Sequence, residues 1–406
     1  MRLHIHTDGP FFSGAENMIA NFLNSEEFVR EFDVTFTYRR SPEYDRGLAE
    51  RVRTRAAIHP LDLLDLPSRT DLLPAPARQL AKLGAYATGA KYRDVRTNTA
   101  RIEAVLRQTH PDVLHVNSGG YPGAYSTLAA VLAARNAGVA HIIYVVNNIA
   151  MPYTWRRALD RPLDREVAAA VELFVTGSRH AGEALAAVLD LPREKLRTIP
   201  NGIRPRKVTE PAGDVRARIG APEGRPLVAV VANLEARKGH RHLLGALALL
   251  KSRGFAPLPW IAIEGEGPEE GALREMVAAR SLAGDVAFLG REARVFDLMN
   301  ASDLLALPSV ANEDFPNVIL EAMSLGKPVV ASRIAGTPEQ VVAHVTGLLV
   351  EPGVEGALAE ALAAMSSSPE DRLRMGEAGR ERFEAHFTAD RSVAAYSDLY
   401  RELCRR

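Results

Sequence analysis

The chain has 406 residues, a length that points to two domains rather than one. Fifty Lys and Arg balance fifty Asp and Glu, which argues against a dedicated nucleic-acid binder, and a single cysteine, Cys404, excludes an internal disulfide framework. At 47% hydrophobic and 25% charged it can bury ordinary cores, while nothing in it reads as a membrane span or a signal peptide, so a cytoplasmic location is expected.

In chain order, RLHIHT (2–7) alternates like a strand and breaks at DGPFFSGAE, and a helical pattern runs from Glu16 to Phe28. Further strands are expected at 32–38, 112–116, 141–146 and 172–176, with helical stretches such as 99–110 and 126–138 between them. The proline-, glycine- and charge-rich 199–214 reads as connecting sequence. A second alternating unit follows, with strands expected at 226–234, 258–265, 285–290, 303–308 and 327–332. Alternation of strand and helix predicts an α/β fold of doubly wound, mostly parallel sheets. We expect two Rossmann-like domains, 1–205 and 223–385, joined by a linker 206–222 and facing each other across a cleft. An amphipathic C-terminal helix (386–406) is expected to pack back on the first domain.

Open sheets of this kind bind ligands beyond the carboxyl ends of their strands. Polar residues and glycines gather there in the second unit. NEDFPNVILEAMSLGKPVVAS (312–332) places Glu313 and Glu321 eight positions apart around an apolar run. Pro316 suits a helix start and Gly326 its end, so the N–H groups near Asn317 and Val318 would form an anion site. Glu321 shares a helix face with Asn317. Carboxylates accept well from sugar and ribose hydroxyls. A surface helix with a capping loop fits the same spacing.

VVANLEARKGHRHLLGAL (230–247) ends a strand at Asn233 and sets Arg237 and Lys238 before Gly239 and a helix. Two cations there suit a pyrophosphate, or a solvated basic turn. In IEGEGPEE, Gly265 and Gly267 would let a ligand approach the backbone, or simply make a turn. In the first unit Gly14 lies between strand and helix, and Asn117, Asn147 and Asn148 follow strands where they would meet sugar hydroxyls. His4, His6 and His115 read as structural. No Cys/His metal cluster, Walker loop, G-x-S-x-G elbow or D-x-D pair is present, so no metal is expected.

Together these residues resemble the retaining nucleotide-sugar glycosyltransferases of family 4 (glycosyl transferases group 1), of GT-B architecture, over most of the chain. Glu313 and Glu321 match the E-x7-E motif in its E-x-F-P-N-V-x-L-E-A-M setting. RKGHRHLLGAL is similar to the K-G-x-x-x-L-I-x-A segment, SGAEN to the first-domain G-G-x-E loop, and IPNGI (199–203) and VTGLLV (345–350) are usual there. The resemblance implies that Lys238 binds the donor diphosphate, that Glu321 holds the ribose and that Glu313 contacts the transferred sugar. The helix N-terminus, Phe315, Pro316, Asn317 and Val318, would receive phosphate or sugar oxygens. Two positions depart from the pattern. Asn233 stands where the family usually has arginine, a charge that Arg237 would replace, and Asn147 or Asn148 stands where it often has histidine.

The implied reaction transfers a hexose-type sugar from a nucleoside-diphosphate sugar to a hydroxyl of a glycan or lipid-linked acceptor. It would serve cell-envelope polysaccharide or glycoconjugate synthesis, without a metal and with no cofactor beyond the donor. No residue reads the base; a UDP-sugar is taken first and a GDP-sugar next. The basic stretch 69–107, with Arg78, Lys82, Lys91, Arg93, Arg96 and Arg101, is either a solvated helical face or a peripheral contact with the inner face of a membrane. A nucleotide-sugar epimerase or hydrolase of the same shape, and a non-catalytic partner subunit, remain as rivals.

Overall fold

The computed structural model describes residues 1–9, 11–12, 14–65, 73–74, 77–79, 81, 89–155, 157–292 and 294–405. The chain divides into two compact units, Met1–Asn201 with Ala389–Arg406, and Gly202–Thr388.

The first unit holds a seven-stranded sheet: β1 (Arg2–Thr7), β2 (Asp33–Arg39), β3 (Ala57–Leu61), β4 (Val113–Ser118), β5 (His141–Val146), β6 (Leu173–Thr176) and β7 (Leu196–Thr198). The order is β3-β2-β1-β4-β5-β6-β7 and every pair is parallel. β3 and β7 escape the sequence pattern because they are the two edges, short and only partly buried, so no run of apolar residues marks them. The helix expected over 16–28 is two, Gly14–Leu23 and Glu26–Glu31. Ser25 stops the first and caps the second, accepting from the Phe28 N–H.

Burial explains the histidines. His4 Nε2 and His6 Nδ1 share the Thr37 hydroxyl at 2.8 and 2.9 Å, and burial lowers both rings to about 3, so they are neutral. The C-terminal helix, Ala389–Leu403, returns to this unit. Val393, Tyr396, Leu399, Tyr400 and Leu403 enter its core, where Tyr396 meets Phe22 edge-on and the Tyr400 hydroxyl lies 2.7 Å from His115 Nδ1.

Part of the basic stretch 69–107, including Lys82, lies outside the described residues. From Ala90 to Thr109 it is a helix whose apolar residues Val95, Ile102 and Leu106 are buried, with the helix Tyr125–Ala137 packed against it. Lys91 is buried and paired with Asp160 at 2.5 Å, beside the hydroxyls of Tyr92 and Tyr125. The described part of the stretch therefore presents no apolar face to a bilayer, and a membrane contact through it is not supported. No helix among the described residues is long and apolar enough to cross a membrane.

The second unit holds β8 (Leu227–Val231), β9 (Trp260–Glu264), β10 (Val286–Gly290), β11 (Leu304–Leu307), β12 (Val329–Ser332) and β13 (Gly347–Val350), in the order β10-β9-β8-β11-β12-β13, again all parallel. Residues 206–222, drawn as a linker, contain the helix Ala212–Ile219 and belong to this unit. Their charges find partners that the sequence could not show: Arg216 pairs with Asp303 at 2.7 Å, and Thr209 donates from N–H and hydroxyl to Asp297 at 2.6 and 2.7 Å.

In each sheet the strand order reverses once, between β1 and β4 and between β8 and β11. A crevice forms at that reversal, because the helices that follow the two strands leave to opposite faces.

Candidate active site

The loops after β8 and β11 meet at the reversal in the second sheet. The β8 loop ends in a short turn, Ala236–Lys238, and Gly239 then opens the helix His240–Ser252. Gly239 has φ +72°, and a Cβ there would stand 1.9 Å from the Pro308 carbonyl oxygen. Only glycine lets the β8 loop lie so close to the end of β11. The Arg237 carbonyl accepts from the Val310 N–H at 2.8 Å and locks the two loops together.

This contact brings three charges to one point. Lys238 Nζ bonds Glu313 Oε1, and the same oxygen accepts from the Ser309 hydroxyl at 2.9 Å. Arg237 Nη1 lies 3.8 Å from that oxygen and 3.2 Å from the Asn312 carbonyl, while its Nε is held by Glu235 at 2.6 Å. Glu313 and Ser309 are buried. A carboxylate is tolerated there because it is paired with a cation and hydrogen-bonded.

The helix Asn317–Ser324 begins one turn further on, with Pro316 as its N-cap and Gly326 in the left-handed conformation past its end. The Phe315 ring is committed to the core, packed edge-on against Phe387, and the Pro316 carbonyl accepts from Gln340. Val318 packs against the same core, so the helix start offers backbone rather than these side chains. Glu321, one turn into the helix, is partly buried. Burial pushes its carboxyl up to about 7; Arg206 opposes that shift and Glu264 adds to it.

Gly265 and Gly267 serve a different purpose from the one their positions suggested. A Cβ on Gly265 would stand 2.1 Å from the Ala232 carbonyl oxygen, and one on Gly267 2.4 Å from that of Leu234. The close approach they allow is between the protein's own β8 and β9 loops, tied by Leu234 N–H to the Glu266 carbonyl at 2.9 Å. Asn233 is exposed at the rim and its amide reaches Glu235 at 3.4 Å.

In the first unit Gly14 begins its helix just past β1. Asn117 is buried, donating to the Thr7 hydroxyl at 3.3 Å and accepting from Asn147 at 2.8 Å. Asn147 also donates to the Ser118 carbonyl at 2.9 Å, and the Asn148 side chain accepts from the Ile149 N–H. The amides of Asn117 and Asn147 thus hold the β4 and β5 ends together, and the expectation that Asn117 meets a sugar gives way to this internal role. Sequence reading missed Glu264, and it placed Ser309 and Glu235 in the polar stretches after β11 and β8 without giving either a role. Ser309 carried a signal, because it lies four residues before Glu313 at a strand end. The other two read only as charges in a loop.

Among the described residues no group of three or more His, Cys, Asp or Glu is placed to hold a metal ion. What the arrangement offers is a paired set of cations at a strand-to-helix loop, a helix N-terminus and two carboxylates.

Residues 213–382 match the family model described as glycosyl transferases group 1, and residues 28–202 the one described as a glycosyl transferase 4-like domain. A 2-deoxystreptamine N-acetyl-D-glucosaminyltransferase of Streptomyces fradiae is 29% identical over 78% of this chain and 78% of its own. A D-inositol 3-phosphate glycosyltransferase of Stackebrandtia nassauensis is 27% identical over 87% of this chain and 83% of its own. Among solved structures, Anabaena HepE in complex with UDP superposes with a TM-score of 0.77 at 18% identity, over 99% of this chain and 100% of that one. The lipopolysaccharide outer core galactosyltransferase WaaB gives 0.69 at 14%, over 99% of both. At these identities the structural likeness is one of fold.

Proposed function

The chain belongs to the family 4-type glycosyltransferases of GT-B architecture, and from that premise we propose that it moves a hexose-type sugar from a nucleoside-diphosphate sugar to a hydroxyl, with retention at the anomeric carbon. The observation that carries this reading is the junction of Lys238, Arg237 and Glu313 at the reversal of the second sheet.

In this reading Lys238 and Arg237 face the diphosphate, Glu313 the transferred sugar and Glu321 the ribose. The bond from the anomeric carbon to the phosphate oxygen breaks, and charge grows on the leaving diphosphate. Two cations and the N-terminus of the helix Asn317–Ser324 stabilise it, with Lys238 shared between Glu313 and the diphosphate. The acceptor oxygen attacks from the same face, and its proton passes to the departing phosphate oxygen. No side-chain base is needed, because the leaving phosphate oxygen takes the proton itself.

A UDP-sugar is the first choice of donor, supported by fold neighbours solved with UDP and with UDP-glucose, and a GDP-sugar the next. A glycan or lipid-linked acceptor in envelope synthesis fits the likeness to WaaB, and the curated relatives named for 2-deoxystreptamine and inositol 3-phosphate extend the class to small cyclitols. The test is a thermal-shift screen of UDP-, GDP-, ADP- and dTDP-sugars, with and without EDTA, followed by donor hydrolysis. One nucleotide should raise the melting temperature by mass action, equally with EDTA present. No shift with any of them would refute the reading, and a shift that EDTA abolishes would refute the metal-independent mechanism.

A further inference from the structure

Glu264 is the last residue of β9 and is buried. Side chains alternate along a strand. Trp260 and Ala262 lie in the core on one face of the sheet, and Ile261 and Ile263 in the core on the other. Glu264 therefore points to the Trp260 face, which carries Ile319, Leu320 and Met323 of the helix Asn317–Ser324 and Leu298 of the helix Val295–Ala301. That is the face of Glu321, and Glu264 lies close enough to disfavour the charge of Glu321.

Its hydrogen bonding is incomplete. One oxygen accepts from the Glu292 N–H at 3.2 Å; among the described residues the other takes no hydrogen bond, and Arg291 acts on the group by its charge without closing an ion pair. Burial raises its pKa; the Glu292 N–H and Arg291 oppose that shift and the Glu292 and Glu266 carboxylates add to it. A mostly buried carboxylate with one oxygen still open to a partner is costly to keep, and a ligand that donates to that oxygen would complete it.

We propose that Glu264 is a specificity-determining residue for the nucleobase of the donor, its carboxylate accepting the ring N–H of uracil, thymine or guanine. This rests on the donor placement proposed above. With the diphosphate at Lys238 and the ribose at Glu321, the base lies over the carboxyl ends of β9 and β10, where Glu264 and the Glu292 backbone meet. Uracil and thymine carry a hydrogen on N3 and guanine one on N1. Adenine N1 and cytosine N3 carry a lone pair instead, which would face a carboxylate that has only lone pairs to offer. A buried site built to accept a hydrogen bond rejects a ligand that lacks the hydrogen, because the site's own group stays unpaired.

The test is calorimetric binding of UDP, GDP, ADP, CDP and inorganic pyrophosphate to the full chain and to Glu264→Gln. The glutamine keeps an oxygen for the Glu292 N–H and offers an N–H to a bare ring nitrogen. Wild type should bind UDP or GDP at least about tenfold tighter than ADP and CDP, and Glu264→Gln should shrink that ratio at least about tenfold while pyrophosphate binds unchanged. Wild-type affinities that ignore the base, or a ratio that the glutamine leaves alone, overturn the assignment while the transferase reading stands. Failure of the wild type to bind any nucleotide overturns both. Should Glu264→Gln not fold, Glu264→Asp draws the same carboxylate back from the base, and it overturns the assignment if it leaves the UDP- or GDP-to-ADP ratio unchanged.

Discussion

Lys238 and Glu313, 75 residues apart in the chain, form an ion pair that joins the two loops at the reversal of the second sheet. Neither loop carries the site alone. In the proposed function, a diphosphate arriving at Lys238 would compete with the Glu313 carboxylate for it.

Removing Lys238 should therefore damage turnover more than the fold. Lys238→Ala is expected to lower kcat/KM for donor hydrolysis by roughly a hundredfold or more, the usual loss of one charge-stabilising group. Thermal unfolding should shift by only a few degrees, because Ser309 and Arg237 still face Glu313. Steady-state kinetics beside a melting curve separates the two effects, and full activity in the variant would remove Lys238 from the site.

Glu321 should impose a pH dependence on donor capture. Its folded pKa is raised from 4.5 to about 7, so ionising it costs more in the folded protein than in the unfolded one. The stability associated with this group is fully present below pH 4.5 and is lost as the pH rises to about 7. The ionised form is the better acceptor for ribose hydroxyls, so kcat/KM for the donor should rise through the same window. Glu321→Gln should flatten that limb and melt higher relative to wild type at pH 8 than at pH 5. An unchanged profile in the glutamine variant would assign the titration elsewhere.

Gly239→Ala should be among the most damaging small substitutions. The left-handed conformation costs a residue with a Cβ about 1–2 kcal/mol. The methyl group would also collide with the Pro308 carbonyl, which is backbone and cannot swing aside. Urea unfolding should show a loss above about 2 kcal/mol, with activity lost in proportion as the β8 and β11 loops separate. Gly224→Ala is the control: its φ is also positive but a Cβ there meets nothing, so the loss should be smaller.

Tyr400→Phe should cost stability while leaving the donor site alone. The hydroxyl is a partner of the buried His115 ring, and removing it leaves Nδ1 unpaired. An orphaned buried polar atom costs about 1–3 kcal/mol. Chemical denaturation should show the loss, and nucleotide binding to the folded protein should match wild type.

Much of the candidate site was legible in the sequence because its signals are local. Pro316 and Gly326 bracket a helix by their own backbone preferences, and the spacing of Glu313 and Glu321 is read along one segment. Arg237, Lys238 and Gly239 announce a strand-to-helix turn in the same way. What was misread depended on partners far along the chain. Gly265 and Gly267 read as a turn or as room for a ligand, and the close approach they allow is to the Ala232 and Leu234 backbone. Lys91 looked like part of a basic face, and Asp160 neutralises it inside the protein.

By itself, then, the sequence determined the alternation of strand and helix, the two-unit division and the residue types gathered after the second unit's strands, because hydrophobic period, turn chemistry and caps act over a few residues. Only the tertiary structure decided which strand ends are neighbours. It placed β8 beside β11, so Lys238 meets Glu313, and it buried Asn117 and Glu264, giving both amide atoms of the one a partner and one oxygen of the other. The physical reason is that burial and pairing are properties of the assembled sheet: the energy of a charge or an amide depends on what the fold brings beside it, and no short stretch of sequence carries that information.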